Sequence, residues 1–217
     1  MTRTRRALVA ALLASLWSAT VAAEELEHLV PETGEHVDLG DRDYKTLLLK
    51  HFPLRNKRWI QLVILPSRKT EEMISLEGDS VGTALLVHMR ATKSIYHAYD
   101  RKHPDVEIPV ERHEATLPST LQARLIRCWT RFLLRTRYPR AAEWGFDGTT
   151  YHFGSFDHQH GVLTGETWSP SPTSLPGLFV EIGTLLGSYA DAAPDARGEI
   201  ERALGKAIVR AERRLGN

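Results

Sequence analysis

The sequence predicts an α+β fold, an antiparallel sheet of about five or six strands with three main helices packed on it. Three observations lead there. Apolar runs of β type cluster between Trp59 and Glu114 and return between Thr149 and Trp168. Stripes at helical spacing form separate blocks, at 120–137, 175–189 and 200–215. Short links join neighbouring strand runs, which suits an antiparallel meander rather than the long crossovers of a parallel sheet.

In chain order, residues 1–23 stand apart from the fold. Arg3, Arg5 and Arg6 precede an apolar stretch from Ala7 to about Trp17, and the segment ends Val21-Ala22-Ala23. That is the layout of a secretory signal peptide, with cleavage expected after Ala23. The apolar run is shorter than the roughly 20 residues of a membrane span, so no stable membrane insertion is expected. Residues 24–43 read as a loosely ordered acidic arm, interrupted by Pro31, Gly34 and Gly40. Residues 44–217 read as a single α+β domain. Tyr44, Leu47, Leu48 and Phe52 recur at helical spacing, so a short helix opens it.

"WIQLVILP", from Trp59 to Pro66, is apolar on both faces, as a central strand is. "EEMISLE", Glu71 to Glu77, is a second strand, and "EGDS" supplies a turn. Leu85, Val87, Met89 and Ala91 then alternate with Leu86, His88, Arg90 and Thr92, which predicts a strand with one buried face. Val106 to Glu114 reads as an edge strand, because Pro104 and Pro109 fit an edge better than a centre. Pro118-Ser119-Thr120 opens the first long helix and Tyr138-Pro139 closes it, with Leu121, Leu125, Cys128, Trp129, Phe132 and Leu133 on one stripe. Strands follow near Thr149 to Gly154 and His160 to Trp168. The proline-rich link "WSPSPTSLPG" leads to a stripe through Leu178, Ile182 and Tyr189, and Pro194 separates it from a last stripe through Leu204, Ile208 and Leu215.

The chain has 217 residues, with 28 Lys and Arg against 27 Asp and Glu. Removing the signal takes three arginines and no acids, leaving 25 basic and 27 acidic side chains, a net of −2. A near-neutral mature chain gives no general reason to bind nucleic acid. Cys128 is the one cysteine. An intramolecular disulfide is impossible, so the domain relies on its core, which suits a bacterial periplasm. Among large apolar neighbours, Cys128 reads as a structural thiol rather than a nucleophile.

Three features carry candidate chemistry. "YHFGSFDHQHG", from Tyr151 to Gly161, holds His152, His158 and His160. Three imidazoles with Asp157, Asp147 or Glu166 as an oxygen ligand suit zinc, and zinc with an open position activates water for hydrolysis. The competing reading is the polar tip of a hairpin. His152 alternates with Tyr151 and Phe153 and so faces away from their apolar side, while His158 and His160 fall at or beyond a turn. The second feature is Arg124, Arg127, Arg131 and Arg135, which share one helix face and suit an anionic partner such as a phosphate-bearing envelope polymer or an acidic protein. The competing reading is a solvated face, or pairing with the acidic arm. The third is Trp168 beside Pro170 and Pro172, a contact loop or a cover over the end of the core. Dinucleotide, phosphate-loop, nucleophile-elbow and His-Glu-x-x-His motifs are absent.

At "LLRTRYP" (Leu133 to Pro139), "FDGTTYHF" (Phe146 to Phe153) and "GETWSP" (Gly165 to Pro170) the chain resembles secreted bacterial proteins of no assigned activity. The resemblance covers roughly the second half of the mature chain and implies an extracytoplasmic setting. It transfers no functional residue. It includes Asp147, Gly148, Tyr151 and His152 but not His158 and His160. The expectation is a periplasmic or secreted, non-enzymatic module without a cofactor. It would bind another envelope protein or an anionic envelope component through the arginine face and Trp168. The alternative is a zinc-dependent hydrolase built on His152, His158 and His160.

Overall fold

A computed structural model describes residues 27–31, 42–53, 58–98, 107–138 and 147–216. The expected signal peptide and most of the acidic arm lie outside the described residues. Six strands, β1 (Arg58–Pro66), β2 (Glu72–Glu77), β3 (Leu85–Ala91), β4 (Val110–Thr116), β5 (Thr149–Asp157) and β6 (Gly161–Trp168), form one antiparallel sheet in the order β4-β3-β2-β1-β5-β6. Helices α1 (Arg42–His51) and α2 (Ile95–Ala98) lie on one face, and α3 (Ser119–Leu133), α4 (Leu175–Asp191) and α5 (Arg197–Arg214) build the other side. The fold is α+β, as its blocks of strand and helix imply.

The doubly apolar β1 takes a central place between β2 and β5. Its Ile60 and Leu62 meet the long helices, while Val63 and Leu65 turn toward the α1 side. On that side Tyr44, Leu47 and Phe52 pack over Met73, Val87 and Met89. The buried carboxylate of Glu71 holds α2 in place by accepting bonds from the backbone N–H of Ile95 (2.7 Å) and Tyr96 (2.9 Å) and from the Tyr44 hydroxyl (3.1 Å).

The three apolar stripes are buried as their spacing predicts. Trp129, Phe132, Phe153 and Phe179 meet at the centre, with Phe132 stacked on Phe179 at 4.0 Å between ring centroids. Trp129 also donates its indole N–H to the carbonyl of Gly154 (3.1 Å). Ser174 caps α4 by accepting from the N–H of Gly177 (3.0 Å). Two glycines let α4 lie close to the sheet. A Cβ at Gly183 would come 2.2 Å from Leu62 Cδ2, and one at Gly187 would come 3.3 Å from the His88 ring.

Two expectations need correction. Strand β3 is buried on both faces, not one: α4 covers the side bearing Leu86, at 0% exposure, and His88, at 3%. The acidic arm is not wholly solvated either. Val30 pairs with Glu166 of β6 through backbone bonds of 2.9 and 2.8 Å, and Leu29 is fully buried. Leu29 fits because Gly165 of β6 has no side chain; a Cβ there would come 3.0 Å from it. Among the described residues no helix is long and apolar enough to cross a membrane.

Candidate functional site

Helix α5 buries Leu204, Ala207, Ile208 and Ala211 against its neighbours. That stripe turns the opposite face outward. Arg202, Lys206, Arg210 and Arg213 lie on it at spacings of four, four and three, so they share one side of the helix. Arg124 reaches in from α3 and Glu181 from α4. Together these side chains line an open groove of ≈ 740 Å³, whose floor is Ala203, Gly205 and Val209.

The groove carries five cations and one carboxylate. Two ion pairs brace its walls. Arg124 makes a bidentate pair with Glu212 at 3.1 and 2.7 Å, and that hydrogen bonding, with the added guanidinium charge, holds the Glu212 carboxyl below its usual range against the opposing effect of burial. Arg210 pairs with Glu181. Among the described residues Arg202 bonds the Gly198 carbonyl of its own helix (3.2 Å). The lining offers many donors and one already engaged carboxylate. Donors of this kind suit anionic oxygen.

The arginine row read from the sequence divides between two roles. Arg124 enters the groove, and Arg127 is exposed beside it. Arg131 and Arg135 instead donate to the carbonyl of Leu215, at 3.1 and 2.8 Å, and so cap the C-terminus of α5. Trp168 lies against Gly148, where a Cβ would come 2.5 Å from its indole nitrogen, and remains 38% exposed. Cys128 is buried, and burial pushes its thiol up to about 12, so it is no nucleophile at neutral pH.

The three histidines have three separate settings. His152 stands on the face of β5 opposite Phe153 and pairs with Glu166 across the strand gap at 3.2 Å. His158 rests edge-on against Trp59 and Phe156. His160 closes the turn on Asp157 at 2.7 Å. About 17 Å of extended strand separates His152 from the turn that carries His158 and His160. Among the described residues no group of three His, Cys, Asp or Glu side chains is placed to hold a metal ion.

A second charged cluster went unread in the sequence. His88 is buried on β3 and bonds Asp191 of α4 through Nδ1 (2.8 Å) and Glu72 of β2 through Nε2 (3.1 Å). Arg90 contacts the same two carboxylates at 3.5 and 3.2 Å. Burial opposes charge on the imidazole, but the bonds to Glu72 and Asp191 outweigh it, and the pKa of His88 is raised. The His88 hydrogen bond also lowers that of Glu72. With both ring nitrogens engaged, His88 has no free lone pair for base catalysis. The alternating charge of β3 was its only sequence signal, and that pattern is shared by solvated strands. The cations of α5 also went unread, although they occupy the face opposite its apolar stripe, a signal the sequence does carry. Compared with known protein families, curated proteins and solved structures, the chain shows no match, so the resemblance to secreted bacterial proteins rests on the three quoted stretches alone.

Proposed function

We propose that the chain is an exported, non-enzymatic module that holds an anionic component of the bacterial envelope in the groove between α3, α4 and α5. The observation that carries this reading is the charge imbalance of the groove: with Arg124 held by Glu212 and Arg210 by Glu181, the concave surface still presents the excess charge of Arg202, Lys206 and Arg213. Export rests on the signal-like residues 1–23, and a periplasmic or secreted location follows from it. The intact mass of the exported protein is expected to begin at Glu24.

Binding is tested on a phosphate-bearing cation-exchange matrix. A mature chain of net charge −2 has little general reason to be retained, so retention reports a local basic surface. Wild type is expected to bind and to elute with added salt. The triple variant Arg202→Glu, Lys206→Glu, Arg213→Glu is expected to flow through while keeping its thermal transition. Equal retention of the two proteins would refute the groove as the site.

A further inference from the structure

We propose that the ligand of this groove is a linear polyanion lying along α5, with single charges separated by about six backbone bonds, the chemistry of a polyol-phosphate chain. This rests on the anion-binding reading above and adds the shape and repeat of the ligand. Cations four residues apart on a helix stand about 6 Å apart along its axis, and the row from Arg202 to Arg213 covers about 16 Å. Six single bonds of an extended chain span at most about 7 Å. A phosphodiester of a three-carbon polyol therefore repeats in step with Arg202, Lys206 and Arg210.

The lining also selects against other polyanions. It contains no aromatic side chain, so the stacking platform that single-stranded nucleic acids use is missing. Its one carboxylate, Glu181, is engaged by Arg210, which leaves almost only donors. A polyol phosphate brings only acceptors along its diester backbone and suits that surface. An acidic peptide brings backbone N–H groups that the groove leaves without acceptors.

Gly205 supplies an independent observation. It lies in the middle of α5, where glycine weakens a helix, and a Cβ there would meet nothing within 4 Å. Packing does not require it. It sits on the groove floor between Arg202 and Lys206, where a missing side chain lets a ligand approach the helix backbone.

The test is calorimetric titration of the mature protein with synthetic oligo(glycerol phosphate) of one, two, four and eight repeats. Inorganic phosphate, long-chain polyphosphate and poly-glutamate serve as comparison ligands. Affinity is expected to climb steeply up to four repeats. For the four-repeat ligand, the slope of log K against log salt is expected near −3, about 0.7 per phosphate contact, and Arg202→Ala should reduce it by about 0.7. Gly205→Ala should raise the melting temperature yet weaken binding several-fold; unchanged affinity would remove the floor contact and overturn the lengthwise pose. Single phosphates that bind as tightly as the eight-repeat chain would overturn the linear ligand and leave anion binding standing. Tighter binding of poly-glutamate or of polyphosphate would overturn the assigned repeat chemistry. No binding of any anion would refute both readings.

Discussion

Helix α4 contributes one acid to each of two charged regions, and the two regions differ in kind. Asp191 joins Glu72, His88 and Arg90, where two cations meet two carboxylates and the central imidazole is 3% exposed. Glu181 joins a groove where one carboxylate faces five cations on an open surface. The first region is balanced and closed. Its charges answer one another and tie the end of α4 to β2 and β3. The second is unbalanced and open, and its excess charge has no answer within the lining. A balanced cluster centred on a buried imidazole is explained by the fold it holds. An unbalanced concave one is the surface on which the proposed anion would sit.

The largest change tests what positions both regions. Trp129 seats α3 on the sheet, and Trp129→Ala is expected to cost about 3–5 kcal/mol in urea unfolding, as other buried aromatic truncations do. A cost below about 0.5 kcal/mol would mean that the helix is held by its arginines instead.

The closed region should respond next. His88→Ala leaves Glu72 and Asp191 facing each other without the imidazole. Removing one partner of a fully buried pair costs about 3–5 kcal/mol, and both carboxylates here keep near 30% exposure, so about 2–3 kcal/mol is expected. The pH dependence has a definite sign. A His pKa raised by folding stabilises fully below its unfolded value of about 6.5, and this contribution is lost as pH rises through the folded value. A Glu pKa lowered by folding stabilises above its unfolded value of about 4.3, and this is lost as pH falls through the folded value. The wild-type melting temperature should therefore peak in mildly acid solution and decline toward alkaline pH. His88→Ala should flatten the alkaline decline, and an unchanged profile would show that His88 is neutral in the fold.

A smaller effect belongs to Arg131 and Arg135. Replacing both by Ala removes the bonds that cap α5 at Leu215, with an expected loss of about 1–2 kcal/mol. The smallest effect belongs to the open region. Arg202→Ala with Lys206→Ala should change stability by no more than about 0.5 kcal/mol while reducing retention on the anionic matrix. A stability loss matching that of His88→Ala would erase the distinction between the two regions.

How much of this was legible depended on whether a residue's partner is local. The stripe of α3 and the doubly apolar β1 declare their burial in their own spacing, so the fold class and its main elements could be read directly. His88 could not be read that way, because Asp191 lies 103 positions away and the helix carrying it is what buries β3. Arg131 and Arg135 bond a backbone carbonyl, a group that every residue has and no sequence marks. The run from Tyr151 to Gly161 left two readings open for the opposite reason. Its histidines lie close in sequence, and about 17 Å of extended strand then holds His152 away from the turn.

The short segment at 27–31 also bears on the order in which the chain is made and folded. Its Glu27 pairs with Arg214, 187 positions later, and its Val30 waits for β6. Contacts this distant in sequence form late, because their loop-closure entropy must be met by structure already in place. A chain emerging from its N-terminus cannot complete this seam until α5 has followed.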